Sequence, residues 1–246
     1  MERMRRARNA MLAFYYVFTA CGAVFCLRRD ASLYNILLAA AAFALPLVPY
    51  LLYRLAHLRP VYLLEIVFDA FVLAAVPFAS LFGGYDFVPY WDKILHFLSG
   101  FLFAVLGTVV YFSCKPGHQL ERADAFNASL YTWMFAMMSA VLWEIWEYIV
   151  SQSGADPQQV AATGVGDTMQ DMIVCTLGGL ITAASCWKYL QHTGEKRHVG
   201  LMMRLFEAYY RENIRKLYKL LSTGLWTGVF ALHRGICACQ ANRQCG

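Results

Sequence analysis

Residues 91–114 read WDKILHFLSGFLFAVLGTVVYFSC, and this stretch decides the fold class. About 20 mostly apolar residues rising 1.5 Å each cross the hydrocarbon core of a bilayer, so the stretch predicts a transmembrane helix. Its first two turns nevertheless carry Asp92, Lys93 and His96. Because ionisable groups are costly in hydrocarbon, these side chains are expected at a membrane surface or against other helices.

The composition of the whole chain is that of a membrane protein. Of its 246 residues, 59% are hydrophobic and 15% are charged, whereas soluble domains are about 45–50% apolar and about 25% charged. We therefore predict an all-α, polytopic membrane protein with six transmembrane helices. The apolar runs place them at residues 10–27, 33–53, 61–82, 94–114, 126–150 and 171–190.

The distribution of basic residues predicts the orientation. With six spans, all but three of the 21 Lys and Arg residues fall on one side, and the exceptions are Arg28, Arg29 and Lys93. Cytoplasmic loops of membrane proteins are rich in Lys and Arg. We therefore expect a multi-pass protein of the bacterial plasma (inner) membrane with both termini in the cytoplasm. The net charge of +5 is accordingly attributed to topology, and no nucleic-acid partner is expected.

The pattern changes after the sixth span, which divides the chain into a membrane domain at 1–192 and a tail at 193–246. Apolar residues recur at helical spacing from Met202 to Leu221, with basic residues on the other faces. Such an amphipathic helix lies in the membrane interface or packs on the cytoplasmic ends of the spans. The eight cysteines show no disulfide framework, and the role of the three near the C-terminus stays open: lipidation, metal binding or a disordered tail.

Three predicted spans carry pairs of ionisable residues at one depth on the outer side. Residues three or four apart share a helix face, and small residues such as Gly100, Ala140 and Gly178 continue these faces. Small residues allow membrane helices to approach closely. We therefore expect the three faces to meet in one outward-facing pocket, formed by Asp92 and His96, Glu144 and Glu147, and Asp167 and Asp171.

So many carboxylates in one place require compensation, since like charges repel and burial disfavours ionisation. Lys93 alone is too little, so a divalent metal ion or mobile protons are expected. We predict Glu144, Glu147, Asp167 and Asp171 as metal ligands, with magnesium, manganese, calcium or zinc as the ion. The alternative is that these residues only make interhelical hydrogen bonds and mark helix ends, with Asp92 and Asp167 as N-terminal caps.

A second pair, Glu65 and Asp69, lies in the third span. Asp69 is predicted roughly 20 Å below the outer surface at helical rise, near the middle of the bilayer. Acids at this depth face the bundle interior and belong to proton or ion pathways, or are protonated and bonded to a neighbouring helix. Both interpretations remain open for this pair.

The motifs WDKILHFLSGF, WEIWEY and GDTMQDMIVCTLGGL resemble those of the YjdF-type family of uncharacterised bacterial inner-membrane proteins. They are more distantly similar to the VanZ-like group, which carries an Asp-Lys-x-x-His-Phe opening. Here Glu147 occupies the place where that group tends to have Gln, and no Arg precedes Asp167. The VanZ-like resemblance implies action on membrane lipids or glycopeptide-related substrates, and it implies no established catalytic residue.

The leading functional hypothesis is a metal-dependent site that binds or hydrolyses the head group of a lipid or lipid-linked substrate. In it the metal activates water, and His96, oriented by Asp92, transfers the proton. Whether the protein is an enzyme is left open by two alternatives. One is a cation or proton transporter with Glu65 and Asp69 as the relay, and the other is a non-catalytic membrane scaffold.

Overall fold

The computed structural model describes residues 2–152, 160–192 and 200–214, with side chains from residue 164 in the second range. The described residues form helices and no strand, which confirms the all-α fold class. The helices are α1 (Glu2–Arg29), α2 (Leu33–Ala44), α3 (Leu47–Leu55), α4 (Tyr62–Leu73), α5 (Gly84–Phe87), α6 (Trp91–Cys114), α7 (Ala125–Gln152), α8 (Val160–Gln191) and α9 (Leu201–Tyr209). Short π-helical segments, Ala74–Leu81 and Tyr210–Ile214, continue α4 and α9.

Five of the described helices are long and apolar enough to cross a membrane, and the α2–α3 pair makes a sixth if it counts as one span. The α2–α3 pair does connect the two ends of the bundle, as the directions of α1 and α4 show. Arg8 near the start of α1 pairs with Glu65 near the start of α4. At the other end, the Phe25 and Phe82 ring centroids are 5.7 Å apart. Because α1 and α4 run in parallel, the chain between them must return across the bundle.

Proline accounts for the irregular spans. α2 and α3 meet at Pro46 with a bend of 55°, since proline lacks the N–H that would continue the helix. Pro77 lies inside the π-helical end of α4. α2 begins where the Ser32 hydroxyl accepts a hydrogen bond from the Asn35 N–H.

The three helices α6, α7 and α8 form the most closely packed part of the molecule. α7 runs antiparallel to the other two, and the Thr108 and Thr132 hydroxyls of α6 and α7 are 2.7 Å apart. A Cβ placed on Gly100 would lie 2.1 Å from the Cys175 carbonyl oxygen, and one on Gly178 would lie 2.4 Å from the Phe97 oxygen. The backbones of α6 and α8 therefore touch where only glycine fits, which is the close approach predicted from the small residues.

Most basic side chains of the described residues lie at the end of the bundle away from Asp92, Glu144 and Asp171, whereas Arg28, Arg29 and Lys93 lie at the other end. The end rich in basic residues also binds α9, whose buried Phe206 packs on Phe112 of α6 with ring centroids 5.5 Å apart. Beyond α9, the Asn213 amide oxygen accepts a hydrogen bond from the Arg59 backbone N–H at 2.6 Å. This part of the tail thus packs on the helix ends. The rest of the tail, including its cysteines, lies outside the described residues, and the domain boundary at residue 192 stays a prediction.

Candidate functional site

The polar cluster lies at the α1 C-terminal end of the bundle, where α6, α7 and α8 meet. Lys93 is its centre on the α8 side. The Lys93 ammonium contacts Asp92 at 3.2 Å and Asp171 at 2.7 Å, and it also contacts Asp167. One lysine therefore compensates three carboxylates. The sequence analysis expected less compensation from Lys93.

His96 lies between carboxylates of all three helices and is 6% exposed. Its Nε2 atom is 3.5 Å from Asp92 Oδ1 and 3.9 Å from Asp171 Oδ1, and its Nδ1 atom is 3.9 Å from Glu144 Oε1. Hydrogen bonds between nitrogen and oxygen are about 2.7–3.2 Å long, so at 3.9 Å neither contact is one. Asp171 Oδ1 and Glu144 Oε1 are both buried, and neither has a hydrogen-bond partner among the described residues.

Two groups of side chains bring potential ligand atoms within 4.8 Å of one another among the described residues. They are Asp92, His96 and Asp171, and His96, Glu144 and Glu147. The four predicted ligands therefore do not surround one point. Asp167 belongs to neither group because its carboxylate faces Lys93, and Asp171 lies on the opposite side of His96 from Glu144.

A cavity of about 90 Å³ borders this cluster. Glu147 lines it and accepts a hydrogen bond of 2.7 Å from the Trp143 indole N–H. Tyr85 of α5 also lines it, and burial raises the pKa of the Tyr85 hydroxyl, with Asp92 and Glu147 raising it further. The Tyr85 hydroxyl therefore stays protonated at the wall of the cavity. The polar side chains on the wall are Tyr85, Asp92, His96, Ser99, Ser139, Trp143 and Glu147.

Several of these residues escaped prediction from the sequence. Trp143, Tyr85, Ser99 and Ser139 were not singled out. Ser99 follows His96 by three residues and so shares its helix face, which is a usable signal. Ser139 is five residues from Glu144, and this spacing gives no such signal. Tyr85 comes from a separate short helix, so no local pattern identifies it.

The helix-cap alternative does not describe the two aspartates. α6 begins after Tyr90, which has positive φ and no side-chain cap, and Asp92 lies in the first turn. Asp167 lies within α8, three residues after the kink at Gly164. Both carboxylates contact Lys93 instead.

The deeper acids lie in a separate place. Glu65 Oε2 is 2.7 Å from Arg8 Nε, and its side chain is 5% exposed. Asp69 is 1% exposed, and no described residue gives its Oδ1 a hydrogen bond. Arg8 was counted only as a topology signal in the sequence, so the compensation of Glu65 by α1 was missed.

Comparison with known families identifies the family of this chain. A family model described as "Predicted membrane protein (DUF2238)" matches residues 9–192. The chain belongs to the DUF2238 family. The match spans every candidate site residue, and it ends at residue 192, before α9. Searches of curated proteins and of solved structures gave no match. Membership of DUF2238 thus supports an integral membrane protein.

Proposed function

We propose that this DUF2238 protein holds a divalent cation among Glu144, Glu147 and His96 and uses it to bind or hydrolyse the head group of a membrane lipid or lipid-linked substrate. The observation that carries the proposal is the buried Glu144 Oε1 atom, which lies 3.9 Å from His96 Nδ1 and has no hydrogen-bond partner among the described residues. An unsatisfied buried charge is costly. An ion about 2.1 Å from each ligand atom would bridge a gap that is too long for a hydrogen bond.

The glutamate side of His96 is the better place for this ion. Lys93 already contacts Asp92 and Asp171, so a second cation between them would meet the ammonium charge. Glu144 and Glu147 have no Lys or Arg side chain among their described contacts. A metal there would neutralise a phosphate or other polar head and lower the pKa of its bound water.

The two nitrogens of His96 then have different roles. Nδ1 faces Glu144 and is the ligand, while Nε2 faces Asp92 and Asp171. Carboxylates that accept the second N–H of a metal-bound histidine fix the ring and its tautomer. In this arrangement Asp92 orients His96 as expected, but His96 acts as a ligand instead of the predicted proton carrier.

Metal content of the purified full-length protein tests the proposal. We expect close to one divalent ion per chain in the wild type and loss of that ion in Glu144→Gln and His96→Ala. The matched control is Asp86→Asn, an exposed acid at the same end of the bundle outside both ligand groups. Negligible metal in the wild type after loading with Mg²⁺, Mn²⁺ or Zn²⁺, or equal metal in Glu144→Gln, would overturn it.

The proposed orientation places the site on the outer face of the bacterial inner membrane, with α9 in the cytoplasm. The support is the gathering of basic residues at the α9 end, as the positive-inside rule requires. In a chain whose native cysteines are replaced, a membrane-impermeant maleimide should label Asp86→Cys, but not Arg54→Cys, in intact cells. The reverse labelling would contradict this orientation.

Transport is the second candidate, and Asp69 is the observation in its favour. Its unpartnered oxygen is nearly fully buried within a membrane helix, a setting typical of ion and proton pathways. Asp69→Asn should abolish the flux of cations or protons across proteoliposome membranes and leave the metal content of the protein unchanged. An unaltered flux, or no flux in the wild type, would remove this candidate.

A further inference from the structure

An apolar groove runs along the bundle surface between α7 and α8. Its volume is about 640 Å³. Val141, Ile145 and Tyr148 lie on one face of α7 and line it, together with Val165 and Met172 of α8. From Val141 to Gln152, the groove extends roughly 16 Å along α7 at helical rise. Both helices are long and apolar enough to cross a membrane, so the groove faces lipid.

The groove and the candidate metal site share one side chain. Glu144 lines the groove, and its Oε1 lies 3.9 Å from His96 Nδ1 without a hydrogen-bond partner. Thr168, on the α8 wall, is a hydrogen-bond neighbour of the same carboxylate. A molecule in the groove therefore meets mostly apolar walls, with Ser151 and Gln152 at the outer end, and at one point a buried carboxylate oxygen that has no hydrogen-bond partner among the described residues.

The energetics of a bilayer restrict what the groove can select. Lipid tails are as apolar as the groove, so moving a chain from the bilayer into it yields packing contacts but little hydrophobic free energy. Retention must come from the polar end of the ligand. A bound cation at Glu144 supplies that attraction for an anionic head group, and without it the carboxylates would repel such a head.

We propose that the α7–α8 groove admits one hydrocarbon chain of an anionic membrane lipid sideways from the bilayer, so that its head group reaches the cation at Glu144, Glu147 and His96. The contact between head group and cation rests on the proposed function, whereas the entry of the hydrocarbon chain rests on the groove. Val141 and Met172 lie at its deep end, from which the remaining chain extends into the bilayer.

Photo-crosslinking of the full-length protein tests this proposal. The probe is phosphatidylglycerol with a diazirine in one acyl chain, mixed into phosphatidylcholine vesicles that contain the protein and Mg²⁺. We expect mass spectrometry to place the adducts mainly on Val141, Ile145 and Met172. Val141→Trp, which fills the groove, should lose these adducts, and Ile145→Trp should do the same.

Leu142→Trp is the matched control, since Leu142 is the next residue of α7, is 57% exposed and does not line the groove. Its adduct pattern should equal that of the wild type. Adducts spread evenly over the exposed faces of α7, or an unchanged pattern in both groove variants with native metal content, would overturn the proposal.

Two further measurements separate the groove from the metal site. EDTA should reduce the groove adducts of phosphatidylglycerol but not those of an uncharged diacylglycerol probe with the same diazirine. Protein without metal could still give groove adducts with phosphatidylglycerol, and Val141→Trp could still remove them. This result would support entry of the chain and overturn the proposed contact between the head group and the cation. Metal that depends on Glu144, together with evenly spread adducts, would overturn chain entry and leave the proposed function standing.

Discussion

Gly178→Ala is the substitution whose effect follows most directly from the packing. The new Cβ would lie 2.4 Å from the Phe97 carbonyl oxygen, whereas real Cβ atoms keep at least 3.0 Å from such neighbours. Both atoms belong to the helices themselves, so α6 and α8 must separate by about 0.6 Å. Overpacking of this kind costs about 1–3 kcal/mol.

The separation also reaches the site, because Lys93 and Asp171 lie on the two helices that move. If it is transmitted in full, their 2.7 Å contact lengthens to about 3.3 Å, beyond the length of a strong charge-assisted bond. We therefore expect a lower Tm in detergent, by about 2–4 °C for each kcal/mol lost.

Gly166→Ala is the control in the same helix. Its added Cβ would meet no heavy atom of the described part of the chain within 4 Å, and alanine stabilises a helix interior by roughly 0.5–1 kcal/mol relative to glycine. Its Tm should stay the same or rise. An unchanged Tm in Gly178→Ala, or equal losses in both variants, would refute the packing argument.

Three further predictions concern charges and hydrogen bonds. Trp143→Phe removes the indole N–H that binds Glu147 and should weaken metal affinity about 10–100-fold, as loss of a group that orients a ligand does, measured by equilibrium dialysis. Lys93→Met leaves three carboxylates without their ammonium and should cost about 3–5 kcal/mol in metal-free protein; added Mg²⁺ should restore part of the lost Tm. Arg8→Gln leaves Glu65 buried and unpaired and should cost about 3–5 kcal/mol with unchanged metal content, measured by thermal unfolding and elemental analysis.

Each of these variants has a control on the same helix. Trp146→Phe replaces an indole that is 57% exposed and should keep native metal affinity. Ile94→Met, next to Lys93 and 43% exposed, should keep native stability. Arg6→Gln removes an ion pair with exposed side chains, and such pairs contribute little. If any control matches its test variant, the stated reason for that variant's effect is wrong.

The sequence predicts the meeting of three helices well because the information is local. Helical spacing aligns His96 with Gly100, and Glu144 with Ala140, so each polar pair shares a face with small residues. The structure then brings these faces into contact through Gly100 and Gly178. The helix ends are less predictable. The sixth span was predicted from residue 171, but α8 begins before residue 164. Asp167 and Asp171 lie inside this helix because their carboxylates contact Lys93.

The partners of the acids could not be predicted in the same way. Lys93 follows Asp92 directly, and only the rotation of α6 against α8 directs its ammonium to Asp167 and Asp171. Arg8 and Glu65 belong to different spans, and nothing in the spacing of either span indicates the pair. Pairings across distant helices depend on the tertiary arrangement, so charge counting alone overestimated the uncompensated acid.

The position of a bound ion tests the central claim most directly. Crystals of the full-length protein grown with Mn²⁺ and measured at the manganese absorption edge should show one anomalous peak in the cluster. We predict this peak about 2.0–2.3 Å from His96 Nδ1 and from carboxylate oxygens of Glu144 and Glu147. A peak elsewhere, or no peak at Mn²⁺ concentrations that saturate binding in solution, would contradict the account.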